Sequence, residues 1–244
     1  MKKKGPIFLL VLSMLTVVFT FFFMYMDNVS AKQEKIAAEN RKKQALVKKK
    51  KVVKKSYEEK ANEKINNGSF SNRIKIPLIL QTDEEWKKEY YGVEDGDPIQ
   101  NTLEINGCAI ASLAMVSSYL EQKETTPLDI LDWSGNRFFS KDQGTSWSIF
   151  NEFAVKNDYL FEDLEDNIEL VKGHLKKGHP IIISVKPGYF TEIGHIMVLS
   201  GYNEEKNTFW LNNPSDTTKK GHSIKEFTQE ELQKEAIRYW AIYK

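Results

Sequence analysis

The sequence is poor in cysteine: Cys108 is the only one among 244 residues. A lone cysteine excludes an intramolecular disulfide, so the stability of the fold must come from a hydrophobic core. Paired cysteines and His-x-x-x-His spacings are absent, and so are phosphate-binding and dinucleotide-binding glycine loops. We therefore predict a protein that works without a metal or another cofactor.

Net charge is also nearly absent, at +1, but this total hides two segments of opposite sign. Residues 32–64 contain 13 Lys and Arg against 5 Asp and Glu, whereas residues 65–244 contain 19 Lys and Arg against 28 Asp and Glu. The larger segment is therefore acidic. Nucleic-acid binding requires clustered positive charge, so we expect no nucleic-acid partner.

Uncharged residues run from Pro6 to Met26, directly after three lysines. At about 1.5 Å per residue, this run is long enough to cross a hydrocarbon core of about 30 Å. We interpret residues 1–26 as a transmembrane anchor or a signal peptide, the latter cleaved after Ala31. In both cases, the flanking charges place the rest of the chain outside the cytoplasm, at the cell membrane or secreted.

Residues 27–72 are interpreted as a Lys-rich linker, either helical or disordered. Helix formers are common there, but apolar residues are too few to bury one face of a helix. The block 47–55, VKKKKVVKK, is suited either to attract anionic wall polymers or lipids or to serve as a solvated spacer.

Residues 73–244 are predicted to form one α+β domain. An extended segment at 74–80 is followed by helices beginning at Cys108 and over 127–133, 146–156 and 167–177. The first of these is apolar on nearly all sides, which is typical of a central, buried helix. Strand-like runs then follow at 180–185, 196–200, 208–211 and 237–243, with a short capped helix before the last one.

Cys108 follows an Asn-Gly turn and opens the apolar helix. Unpaired backbone N–H groups and the positive end of the helix dipole favour a thiolate at such a position, so Cys108 is the candidate nucleophile. Gly107 is predicted to let a substrate backbone approach it.

His195 is the candidate base, because it follows Gly194 and opens an apolar strand. His174 lies on the polar side of a predicted amphipathic helix, which predicts exposure to solvent, and His222 lies in a polar segment. The imidazole needs a partner to orient it, and Asn213 at a strand end is the first choice, with Asn212 as the alternative.

Gln81 is the candidate oxyanion donor, together with the backbone N–H of Cys108. Gly194 and Trp147 are predicted to contact substrate. The segment that ends at Trp147 is equally consistent with a helix start capped by Ser146.

Several short motifs occur in one order along the chain. They are Gln81 with Asp83 and Trp86, Tyr91-Gly92, Gly107-Cys108 with Ser112 to Met115, Leu175 to Pro180, Gly194-His195 with Gly201-Tyr202, and Asn213-Pro214. Together they resemble the peptidase C-39-like group, relatives of the bacteriocin-processing peptidases in the papain-like superfamily.

This resemblance covers about residues 76–244 and implies a papain-like fold. That fold has a helical lobe carrying the nucleophile helix and an antiparallel sheet lobe. The resemblance also implies a Gln–Cys–His–Asp/Asn site that hydrolyses amide bonds through a thiol. The group usually has Asp-Pro or Asn-Pro where this chain has Asn213-Pro214. Nothing in the chain resembles the transporter and ATPase parts that accompany the bacteriocin exporters.

We therefore expect a membrane-anchored or secreted cysteine peptidase acting on a peptide or a cell-wall amide bond. Three alternatives remain open: an acyl or peptidyl transferase on the same site, a non-catalytic binding module on the same fold, and a structural anchor. The oligomeric state is left open.

Overall fold

A computed structural model describes Lys35 and residues 55–93, 96–141 and 144–244. The predicted anchor at 1–26 and most of the Lys-rich stretch lie outside these residues. Within the described residues, no helix combines the length and the apolar character needed to cross a membrane.

Seven α-helices occur in the described part of the chain. They are α1 (Tyr57–Asn66), α2 (Leu103–Asn106), α3 (Cys108–Glu121), α4 (Pro127–Ser134), α5 (Ser148–Lys156), α6 (Ile168–Lys176) and α7 (Gln229–Gln233). Capping boxes begin α1, α4 and α7, so local chemistry defines where these helices start. A 3₁₀ turn spans His222–Ile224.

The described strands form a small hairpin and one larger sheet. The hairpin pairs β1 (Phe139–Ser140) with β2 (Gly144–Thr145). The sheet contains β3 (Leu160–Glu165), β4 (Ile181–Val185), β5 (His195–Asn203), β6 (Thr208–Asn212), β7 (Glu226–Thr228) and β8 (Ala236–Tyr243). Its order is β3-β8-β4-β5-β6-β7, and every neighbouring pair is antiparallel.

The predicted α+β class is confirmed, with α3 as its central helix. Every residue of α3 from Ala109 to Ser118 is buried. Residues on one face of the sheet, such as Ile196 and Val198, pack into a core with α3, whereas Met197 and Leu199 pack with α6 on the other face. This alternation is the two-residue period of a strand covered on both faces.

Four of the described strands were not predicted. β3 reads LFEDLE and buries only Leu164, because it is an edge strand with one shielded position. β1 and β2 have two residues each and β7 has three, too few to show a period in the sequence.

The compact unit begins at Lys55, which is 18 residues before the predicted domain start. Ala61 and Ile65 of α1 are buried. Asn62 accepts from the Leu78 N–H at 2.7 Å and donates to the Leu78 carbonyl at 2.9 Å. The last part of the predicted linker is thus a folded helix. Its two buried apolar residues are enough to hold it in place because they pack against the extended segment at 74–80.

Candidate active site

Cys108 is the first residue of α3, and the four-residue helix α2 ends directly before the Gly107 that separates them. A Cβ on Gly107 would lie 2.4 Å from the Leu103 carbonyl oxygen. The first turn of α2 therefore leaves no room for a side chain at position 107. Approach of a substrate backbone to Gly107 stays a prediction.

The Cys108 thiol lies at one wall of a cleft of about 630 Å³. Other walls come from Ile105, Phe139, Ile193 and Gly194. Cys108 is half-buried, and its sulfur is close enough to the start of β5 to accept from the Ile196 backbone N–H.

Burial raises the pKa of the Cys108 thiol, while backbone N–H groups of Ile196, Ala109 and Cys108 itself act in the opposite direction. The helix N-terminus was predicted to favour the thiolate. In the folded protein, the loss of solvent outweighs these donors, so the isolated thiol is kept protonated.

His195 opens β5 and is 7% exposed. Its Nε2 lies 2.9 Å from Asn213 Oδ1. Burial lowers the pKa of His195 to about 4, although the bond to Asn213 raises it. The imidazole is therefore neutral at pH 7 and available as a base.

The orientation of the Asn213 carboxamide is defined by a backbone donor. The Ser215 N–H lies 2.8 Å from Asn213 Oδ1, and an N–H can only donate. The atom facing His195 is therefore oxygen, and His195 must carry its proton on Nε2. This leaves Nδ1 as the unprotonated ring nitrogen, as a general base requires.

Asn212 lies on the opposite face of the strand from Asn213 and has a different role. Its Oδ1 accepts from Arg73 Nη2 at 2.6 Å, and its Nδ2 donates to the carbonyls of Ile76 and Pro77, each at 3.0 Å. The structure thus brings Asn213 to His195 and uses Asn212 to hold the extended segment.

Gln81 is buried, and it contacts both the segment that follows Asn213 and the helix that precedes Cys108. Its backbone N–H donates to the Pro214 carbonyl at 2.8 Å, and its Nε2 donates to the Glu104 carbonyl at 2.7 Å. The described lining of the cleft does not include Gln81, and its Oε1 has no hydrogen-bond partner among the described residues. Its role as an oxyanion donor stays a prediction.

The two remaining candidates differ in position. Gly194 lines the cleft, and a Cβ there would meet no atom within 4 Å. Trp147 is 39% exposed and packs on Trp240, with ring centroids 5.1 Å apart, outside the cleft's described lining. Substrate contact by either residue stays a prediction.

Comparison with known proteins adds the decisive observation. The sequence profile of the Peptidase_C39 like family matches residues 73–244. The chain belongs to this family.

Solved structures of other C39-like proteins are similar to this chain at low identity. One is a Bacillus anthracis protein described as a C39-like peptidase (15% identity, 68% of this chain and 97% of that chain, TM-score 0.42). Another is the peptidase domain of Streptococcus ComA, described as a bifunctional ABC transporter of a quorum-sensing pathway (18% identity, 64% and 96%, TM-score 0.44). A search of curated proteins finds no match.

Sequence reasoning missed one residue of this C39-like site. His222 lies in a polar segment of the sequence, but in the structure it is 4% exposed and its Nδ1 lies 3.0 Å from Asn213 Nδ2. The loop after Asn213 folds inward around the buried Asp216, which accepts from the His222 backbone N–H at 3.1 Å. Gly221, with φ +58°, is the sequence signal for that turn.

His174 was predicted to be solvated, and the structure corrects this. It is 7% exposed, because it packs against His179 and Tyr243 at the sheet edge. In the described ranges, no group of three or more His, Cys, Asp or Glu side chains could hold a metal ion.

Proposed function

We propose that this C39-like protein is a cysteine peptidase that cleaves amide bonds with Cys108 as nucleophile and His195 as base. The observation that carries the proposal is the 2.9 Å bond between His195 Nε2 and Asn213 Oδ1. It assigns the Nε2–H tautomer, which leaves the lone pair on Nδ1, and we propose that this lone pair faces the Cys108 thiol.

The reaction proceeds in two steps. Cys108 Sγ attacks the scissile carbonyl while His195 Nδ1 takes the thiol proton, and His195 returns it to the leaving nitrogen as the C–N bond breaks. Water then attacks the resulting thioester, which releases the acid and restores the thiol.

The pKa shifts of the two groups support proton transfer within the pair. Burial raises the pKa of Cys108 and lowers that of His195, so each charge is unfavourable on its own. Moving the proton from sulfur to nitrogen creates opposite charges side by side, which stabilise each other. The backbone N–H of Cys108, with Gln81 as a second donor, is proposed to stabilise the oxyanion.

For location and substrate we propose the following. The uncharged run at 6–26 anchors the chain at the cell membrane, or is removed after Ala31, with the domain outside the cytoplasm. The substrate is then a peptide or a peptide of the cell wall. Fractionation of cells and N-terminal sequencing of the mature chain test the location.

The test of the chemistry is alkylation of Cys108 by iodoacetamide in the full chain, for wild type and His195→Ala, from pH 4 to 9. The proposal predicts that the substitution slows alkylation at pH 7 at least tenfold. An unchanged rate would instead favour the non-catalytic binding module.

A substrate screen follows, with peptides and wall peptides in the presence and absence of an added amine. Release of the free acid alone indicates hydrolysis, and an amine adduct indicates the transferase.

A further inference from the structure

His222 lies directly behind the orienting amide. It begins the 3₁₀ turn and is 4% exposed. Its Nδ1 lies 3.0 Å from Asn213 Nδ2. Asn213 therefore contacts one imidazole on each side of its carboxamide, His195 through oxygen and His222 through nitrogen.

The direction of this second hydrogen bond follows from the first. Since the Ser215 N–H identifies the oxygen of Asn213, the atom facing His222 is the NH₂ group, which can only donate. His222 Nδ1 must then accept, so His222 is neutral and carries its proton on Nε2.

The surroundings of His222 are compatible with a neutral ring. Aromatic rings of Tyr189, Phe190 and Phe227 surround it at centroid distances of 5.2, 5.6 and 5.9 Å. Burial lowers the pKa of His222 from its ordinary value of 6.5. The charged groups that affect it are, in order of effect, Asp216, Lys225, Lys220 and Glu235.

We propose that His222 is a positioning residue for the reaction, whose unprotonated Nδ1 holds the Asn213 carboxamide with its oxygen toward His195. This rests on the proposed function. A proton on His222 Nδ1 would place two donors face to face, so the carboxamide would have to turn or separate from one ring. If it turned, its NH₂ group would face the Nε2–H of His195, and the base would lose the partner that selects its tautomer.

Two variants of the full chain separate positioning from packing. His222→Asn keeps an acceptor oxygen near the place of Nδ1 but does not titrate, whereas His222→Phe fills the space without an acceptor. The rate of Cys108 alkylation, corrected for the folded fraction by near-ultraviolet circular dichroism, is followed from pH 4 to 8.

We expect His222→Phe to lower the alkylation rate at pH 7 about tenfold. We expect His222→Asn to stay within about threefold of wild type. Because both His195 and His222 must be neutral in wild type, the acid limb of the wild-type rate profile should be steeper than that of His222→Asn, whose rate depends only on the protonation of His195. If both variants are equally slow, or if neither differs from wild type in rate or slope, the positioning role is wrong.

A second measurement does not depend on reactivity. Imidazole ¹⁵N spectra of the wild-type full chain at pH 7 should show His222 protonated on Nε2 and bare on Nδ1. Protonation on Nδ1 would overturn the proposal even if His195 activates Cys108. The opposite combination separates the two proposals. If His222 has the expected tautomer but the alkylation rate of Cys108 does not depend on His195, the proposed function is refuted and the hydrogen bond stands.

Discussion

The phenol of Tyr57 donates to Asp216 Oδ2 at 2.6 Å. Tyr57 belongs to α1, which precedes the region matched by the family profile, whereas Asp216 lies in the loop that follows Asn213. Asp216 also accepts from the backbone N–H groups of His222 and Ser223, at 3.1 and 2.6 Å. A helix outside the family region therefore supports the loop behind the site.

Replacing Tyr57 tests this connection. Tyr57→Phe leaves the buried carboxylate without one donor, and we expect the free energy of unfolding to fall by about 1–2 kcal/mol. Alkylation of Cys108 should slow as the loop loosens. The matched control is Tyr119→Phe. Tyr119 lies near the end of α3 that is remote from Cys108, and its hydroxyl donates to the Gly178 carbonyl at 3.0 Å. This control should lose stability in urea unfolding while keeping the wild-type alkylation rate; equal rates for both variants would contradict the coupling.

The adjacent asparagines give a second matched pair. Asn213→Ala removes the acceptor of His195 Nε2, so alkylation at pH 7 should slow about tenfold per folded molecule. Asn212→Ala instead removes one acceptor of Arg73 and the donor to two backbone carbonyls. It should destabilise the fold by about 1–3 kcal/mol with little change in alkylation rate. Reversed effects would mean that Asn212 orients the base.

The pKa of His195, lowered to about 4, predicts how stability depends on pH. A histidine whose folded pKa lies below its ordinary 6.5 stabilises the fold fully above pH 6.5. That contribution is lost as the pH falls toward 4. We expect the loss to reach about 3 kcal/mol. Urea unfolding at pH 4 and 7 measures it, and His195→Gln should show a smaller difference between these pH values.

Glu58 on α1 predicts the opposite slope. Burial, followed by the charge of Asp83, raises the pKa of Glu58 to about 7. The ionised carboxylate therefore destabilises the fold as the pH rises from 4.5 through 7. Glu58→Gln should increase the free energy of unfolding at pH 8 by about 1–2 kcal/mol, allowing for partial solvent screening. At pH 4 the two proteins should unfold alike, and a gain of equal size at both pH values would assign the effect to helix propensity.

Substitution by alanine should change stability at one glycine of the site and not at another. Gly107→Ala forces a Cβ to 2.4 Å from the Leu103 carbonyl oxygen, and we expect a loss of about 1–3 kcal/mol in urea unfolding. Gly194→Ala meets open space in the cleft, so its unfolding should match wild type. Any effect of Gly194→Ala should be confined to turnover of substrate. A stable Gly107→Ala protein would show that α2 can shift away.

Much of the fold was readable from the sequence because its signals are local. Apolar periods and caps located α3, α6 and the strands β4, β6 and β8 within one residue of their bounds, whereas β5 continues three residues beyond its predicted end. The edge strand β3 carries charge on its open side, so its pattern resembles a loop. Helix α1 has two buried residues, and only the segment it packs against distinguishes it from a solvated linker.

The candidate site likewise combines residues that the sequence identifies with contacts that only the tertiary structure shows. The sequence by itself determined the residue types at the start of a buried helix and a buried strand, which made Cys108 and His195 candidates, together with the family motifs around them. Tertiary structure decided which asparagine faces His195, that His222 lies behind it, and that Tyr57 supports the same loop through Asp216. It also decided that the thiol pKa is raised, against the expectation from the helix dipole. Burial and hydrogen-bond partners depend on residues far apart in the chain, and local pattern does not carry that information.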